Sequence, residues 1–146
     1  MISFKLLSKA DAQSIADLYS NEFKDGWNLS MLNSAFDTQR FLVVGGYIDG
    51  EFVGVITASM GYDDADIESV FVLEKYRRQG VADAMFNEIE KQLKLRGAKR
   101  LLLEVRESNL GAKAFYIKKG FSFLSMRKKY YNDDENAVVM VKELSE

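Results

Sequence analysis

At 146 residues the chain is about one domain's worth of sequence, with room for one substantial core. Hydrophobic residues make up 47% and charged residues 29%, too apolar for a disordered chain; 20 Lys plus Arg against 22 Asp plus Glu give a net charge of -2, which excludes the basic field of a general nucleic-acid binder. With no Cys and no His, disulfides, thiolate nucleophiles, Ser-His-Asp triads and thiolate or imidazole zinc sites are ruled out, and proton transfer falls to Glu, Asp, Tyr, Lys or water.

The amino terminus MISFKLLSKADAQ meets charge early and forms no signal-peptide apolar core. No segment approaches the roughly 18 uninterrupted apolar residues of a spanning helix, so a cytoplasmic location without a membrane partner is expected.

Residues 2–7 (ISFKLL) read as a strand, and Ser8 with Asp11 resembles a capping box that opens a helix. Ile15, Leu18 and Tyr19 share one face of that helix, which continues through Glu22-Phe23 until Asp25-Gly26. Ser30 is the expected cap of a second short helix bearing Leu32, Ala35 and Phe36. FLVVGGYI and EFVGVITASM flank Asp49-Gly50, a strong hairpin signal, and after the polar turn YDDAD a third strand covers IESVFVL (67–73). Consecutive strands of this kind predict an antiparallel meander.

Val81, Met85, Ile89 and Leu93 then recur at helical spacing up to Gly97. RLLLEV (100–105) follows as a nearly continuous apolar run, expected to be a strand buried on both faces. Strand, helix, strand in this order implies a parallel pair. Ser108 or Asn109 can cap a last helix through Ile117 that Gly120 ends, and FSFL and AVVMVKEL supply closing strands. With no repeat or linker, residues 1–146 read as a single α/β (α+β) domain with a mixed, mostly antiparallel sheet.

The strongest chemical signal is the turn before the helix at Val81. Gly80 removes the Cβ that would keep a ligand from the backbone, the first helical turn offers unpaired N–H groups at the positive end of the dipole, and Arg77 and Arg78 can add charge-assisted donors. A turn with two solvated arginines is the plain alternative. Neither GxxxxGK[ST] nor a strand-linked GxGxxG occurs, so a diphosphate other than ATP or NAD is favoured.

RRQGVA resembles the [QR]-x-x-G-x-[GA] pyrophosphate motif of the GCN5-related N-acetyltransferases (GNAT), whose fold also has this order of strands and helices. More narrowly, LEVRESNLGAKAFYIKKGF followed by RKKYY and AVVMV resembles the RimI-type enzymes, which acetylate the amino-terminal alanine of a ribosomal protein. The resemblance implies helices on both faces of the sheet and a parallel pair that opens the cofactor cleft. It implies acetyl-CoA as cosubstrate and no metal. The coenzyme arm would lie along Val70, Phe71 and Val72, its pyrophosphate on Arg77, Arg78, Gln79, Gly80, Val81, Ala82 and Asp83, with Asn109 touching the arm. Ala82 replaces the more usual glycine, and Asp83 must point away from the dianion.

Acetyl transfer from a thioester to an amine needs a base for the ammonium, a donor for the carbonyl oxygen and an acid for the departing thiolate. Glu104 interrupts LLLEV and is the candidate base; an ion pair with Arg106 is the alternative, and the match to the Glu of the RimI-type LEVR segment favours catalysis. Tyr116 is the candidate acid, since a phenol can protonate sulfur, and SNxxAxxxY matches the family's spacing. Trp27 corresponds to the aromatic loop walling the acceptor site, and Tyr130 and Tyr131 to the closing hairpin that pins a peptide. The implied partner is a protein N-terminus, a ribosomal protein in the RimI-type case, with no direct nucleic-acid contact. A small amine, polyamine or lysine acceptor, and a non-catalytic acetyl-CoA-binding module, are the alternative readings. Oligomeric state is not legible.

Overall fold

The computed structural model describes residues 1–20, 22–23 and 26–144. Its strands are β1 (Ile2–Leu7), β2 (Phe41–Ile48), β3 (Glu51–Met60), β4 (Asp64–Val72), β5 (Arg100–Arg106), β6 (Ser122–Arg127) and β7 (Ala137–Glu143). The helices are α1 (Ala12–Ser20), α2 (Leu29–Asp37), α3 (Val81–Leu95) and α4 (Leu110–Lys118). The strands form one seven-stranded sheet in the order β1-β2-β3-β4-β5-β7-β6, antiparallel except for β4 and β5. None of the helices among the described residues is long and apolar enough to cross a membrane.

The meander is closed by Asp49 (φ 49°) and Gly50 (φ 85°), both left-handed as a tight two-residue hairpin requires. α3 lies across β2 and β3, and Gly46 permits the approach: a Cβ there would stand 2.6 Å from Val81 Cγ1 and 2.8 Å from Met85 Sδ.

Apolar residues divide between the faces. Val81, Met85, Phe86, Ile89 and Leu93 of α3 pack with Leu101, Leu103 and Val105 of β5, and Phe115 and Tyr116 of α4 lie against that cluster. Ile15, Leu18 and Tyr19 of α1 and Leu32 of α2 pack on Val43, Val55 and Phe71.

Several boundaries differ from the sequence reading. α1 ends at Ser20, with the N–H groups of Glu22 and Phe23 still reaching the Tyr19 carbonyl; Asp25 lies outside the described residues. Asn28, not Ser30, caps α2, its Oδ1 accepting from Met31 N–H at 2.9 Å. β4 begins at Asp64, inside the expected polar turn, because the parallel ladder to β5 and the Arg100–Asp64 ion pair recruit those polar residues. β5 is buried on one face only: Leu101, Leu103 and Val105 are buried, while Glu104 is exposed, since α1 and α2 pack over β2 and β3 and leave Leu102 and Val139 lining an open groove.

That arrangement opens a gap in the sheet. β4 pairs with β5 from Asp64 to Ile67 only. Ser69 then pairs with Thr57 and Ile67 with Ala58, so Glu68 is an extra residue, a bulge that bends β4 where the ladder ends. Beyond it the strands part, leaving Val70 and Val72 on one side and Glu104 and Arg106 on the other.

Candidate active site

The cleft beside the gap is built by β4, the turn at 77–80 and α3 and α4. It encloses about 680 Å³ and is lined by Val70, Val72, Arg77, Arg78, Gly80, Val81, Ala82, Asp83 and Tyr116, among others. Leu73 N–H donates to Val53, so strand alternation turns Phe71 toward β3 and turns the N–H and C=O groups of Val70 and Val72 toward the gap. An open strand edge of this kind can pair with a chain of amides.

Gly80 is the N-cap of α3 with φ 96°, a conformation that glycine takes without strain. The first intrahelical bond of α3 is Ala84 N–H to the Gly80 carbonyl, so the N–H groups of Val81, Ala82 and Asp83 remain first-turn donors. Arg78 is also left-handed, φ 64°, which makes the preceding turn tight. The donors, the positive helix end and the open glycine fit a diphosphate.

Not every expected cofactor contact lies in this cleft. Phe71 does not line it: its ring is buried at 5.1 Å from the Tyr19 ring. Gln79 does not line it either, its amide turned back toward the Lys75 carbonyl at 3.4 Å. Arg77 is a loop anchor as well as a wall, since its Nε donates to the Val72 carbonyl at 2.8 Å. Asn109 caps α4, accepting from Ala112 N–H at 3.0 Å, and faces the neighbouring cavity. Asp83 does line the cleft, with its carboxylate held by Lys119 Nζ at 2.6 Å, which offsets its charge beside an anion site.

Through the gap the cleft joins a second cavity of about 480 Å³. Val70, Ala112 and Tyr116 border both, and this cavity adds Trp27, Glu68, Glu104, Asn109 and Tyr131. Glu68, Glu104 and Tyr131 in turn border a third, of about 610 Å³, which runs over the uncovered sheet face to Arg127 and Tyr130. A single groove therefore passes from one face of the sheet to the other, with Tyr116 and Glu104 along it.

Glu104 is paired with Arg127, whose Nη1 donates to its Oε2 at 2.9 Å; the side chains are 32% and 54% exposed. Arg106, the expected alternative partner, is drawn instead to Asp133 and Glu135 at 2.9 and 3.0 Å. The Tyr116 phenol is pushed up to about 12 by burial against the α3 cluster, with Tyr131 adding to the effect, so it is neutral at physiological pH. Trp27 packs on Phe41 at 4.9 Å, and its indole N–H donates to buried Thr57 at 3.2 Å, so it anchors the link before α2 while one side borders the groove. Tyr130 and Tyr131 meet edge-on at 5.1 Å and wall the third cavity.

Sequence reasoning missed Asp66 and Glu68. Both carboxyls are raised above the ordinary range, Asp66 by desolvation and then by Glu104 and Asp64, Glu68 by desolvation against a lowering hydrogen bond from Ser59. Both are open to solvent yet sit in a concave groove crowded by protein, which reconciles exposure with the desolvation. A lone Glu inside the apolar strand IESV is the same signal that singled out Glu104 in LLLEV.

Residues 12–123 match the acetyltransferase (GNAT) family. The chain belongs to that family. The GNAT enzyme is similar over 92% of its length to the ribosomal protein bS18-alanine N-acetyltransferase of Haemophilus influenzae, at 30% identity and 96% coverage of that protein. It is 29% identical to an uncharacterised N-acetyltransferase of Methanocaldococcus jannaschii, over 97% of this chain and 91% of that one. The crystal structure of the ribosomal-protein-S18-alanine N-acetyltransferase from Escherichia coli superposes with a TM-score of 0.89 at 26% identity, covering 100% of this chain and 96% of that one. This GNAT protein is thus an N-acetyltransferase.

Proposed function

We propose that this enzyme acetylates the α-amino group at the N-terminus of a protein, in the manner of the ribosomal-protein-alanine N-acetyltransferases it resembles. The observation that carries the reading is the groove. It continues past Glu104 over an uncovered sheet face walled by Tyr130 and Tyr131, which suits an extended peptide rather than a small enclosed amine. Near-full-length similarity to the bS18-alanine enzyme supports the same class of acceptor.

Acetyl-CoA supplies a thioester carbonyl that an amine can attack. The first-turn N–H groups of α3 would hold its pyrophosphate, and the edge groups of Val70, with the Val72 N–H, would pair with its amide arm, the Val72 carbonyl already accepting from Arg77. The Val70 N–H faces the gap, where it can donate to the carbonyl oxygen as charge develops. An α-amine of ordinary pKa about 7.7–8.0 arrives mostly protonated. Glu104 takes that proton, the nitrogen bonds to the carbonyl carbon, the C–S bond breaks as Tyr116 donates its proton to the sulfur, the second proton shed by the nitrogen returns to the Tyr116 phenolate, and Glu104 releases its proton to solvent. A protein nucleophile is unnecessary.

Glu68 is a second candidate for the base. It borders the same two cavities as Glu104, and desolvation raises its carboxyl, which favours proton uptake.

The test is a panel of hexapeptides of varied first residue against spermidine, aminoglycosides and lysine-containing peptides whose α-amine is blocked and whose ε-amine is free, read by release of free thiol. Turnover of peptides with a free N-terminal alanine is expected. Turnover confined to small amines or lysine side chains contradicts the reading.

A further inference from the structure

Tyr130 and Tyr131 lie on a polar surface turn between β6 and β7, the kind of segment that is usually loosely defined. Here it is bound on its inner side to β5 and to the start of α4. Arg106 Nη1 donates to both Asp133 oxygens at 3.0 and 2.9 Å and to Glu135 Oε1 at 3.0 Å. The same guanidinium lies 4.1 Å over the Tyr131 ring. Glu135 uses its other oxygen to accept from Ser108 N–H at 2.8 Å, one residue before the cap of α4. The Glu107 N–H donates to the Asn136 carbonyl at 3.0 Å, and the Asn136 amide returns to Glu107 Oε1 at 3.2 Å.

These contacts join parts of the groove that are far apart in sequence. Glu104 lies on β5 two positions before Arg106, Tyr131 is on the turn, and Tyr116 rides on the helix that begins two residues after Ser108, whose N–H Glu135 holds. We propose that Arg106 is a positioning residue of the acceptor site: by stacking on Tyr131 and forking onto Asp133 and Glu135, it latches the Tyr130-Tyr131 wall to β5 and to the start of α4, and so sets the width of the acceptor groove. The inference rests on the groove's being the acceptor site.

The chemistry requires arginine. Nη1 at one corner of the guanidinium serves both carboxylates while the body of the group lies over the aromatic ring, and a compact ammonium engaged with the carboxylates cannot also cover the ring. The carboxylates are partly exposed, Asp133 by 63% and Glu135 by 22%, so the ion pairs add little to folding. Their effect lies in where the turn stands.

The experiment measures kcat, both KM values and Tm for Arg106→Met and Arg106→Lys, using whichever acceptor the wild-type enzyme turns over best. For Arg106→Met the acceptor KM is expected to rise about 5- to 20-fold with the acetyl-CoA KM within about twofold. Tm should stay near wild type, and Arg106→Lys should recover only a minor part of the loss. Should Arg106→Met fail to fold, Asp133→Asn with Glu135→Gln weakens the same ion pairs and should produce the same split. An unchanged acceptor KM, or both KM values moving together with Tm, overturns the proposal. Should the best acceptor prove to be a small amine, the peptide reading fails while the same KM split still judges the latch.

Discussion

Arg127 and Glu104 are joined by a 2.9 Å hydrogen bond from guanidinium to carboxylate, and the same guanidinium rests 4.1 Å over the ring of Tyr130. The proposed base is therefore held from β6, across β7, by a cation that also touches the wall of the acceptor groove. An incoming ammonium must share or displace that cation at Glu104. The pair is partly exposed and contributes about 0–1 kcal/mol to folding, so chemistry and stability can be separated here. Glu104→Gln is expected to lower kcat about 100-fold or more while Tm and acetyl-CoA affinity change little; steady-state kinetics beside Glu68→Gln decides which carboxylate is the base.

Tyr116 faces both the cofactor cleft and the acceptor cavity, and its phenol, pushed up to about 12, retains its proton through the working pH range. Tyr116→Phe keeps the ring that packs beside Phe86, Phe115 and Phe121 and removes only the hydroxyl. A fall in kcat of about 100-fold is expected with the acetyl-CoA KM unchanged; equal turnover at saturating substrates would remove the acid role.

At Gly80 the positive φ disfavours any side chain, and a Cβ would stand 3.4 Å from Ile2 Cδ1, beside the proposed diphosphate. Gly80→Val is expected to cost about 1–2 kcal/mol of stability and to raise the acetyl-CoA KM more than the acceptor KM. Calorimetric titration with acetyl-CoA, beside thermal denaturation, checks both.

Asp66 lines the third cavity, and its carboxyl is raised in the folded chain by desolvation and by Glu104 and Asp64. A carboxyl raised on folding binds its proton more readily in the folded state, so it opposes folding at pH above its folded value, and that penalty fades as pH falls through it. Asp66→Asn is therefore expected to have a higher Tm than wild type at pH 7, with the difference shrinking toward pH 4. A lower Tm at pH 7 would show that the charge is needed by the fold.

Much of the framework was legible because periodicity and turn chemistry are local. The hairpin at Asp49-Gly50, the helix carrying Val81, Met85, Ile89 and Leu93, and the parallel pair implied by strand, helix, strand all follow from short-range pattern. The start of β4 at Asp64 was not legible, since its polar residues become strand only through pairing with β5. Nor was the bulge at Glu68, which depends on register against β3. Partners of charged groups were hardest of all. Period-two spacing on β5 suggested Glu104 with Arg106, but Arg127 and Glu135 arrive from β6 and the turn after it, and only the tertiary fold brings them to the groove.

Which amine receives the acetyl group decides the function. Incubating the enzyme and acetyl-CoA with a peptide that has a free N-terminal alanine and an internal lysine, then locating the acetyl by tandem mass spectrometry, tests it directly. Acetylation is expected at the alanine nitrogen alone, abolished by blocking the N-terminus. Modification of the lysine, or none while free spermidine is acetylated, would contradict it.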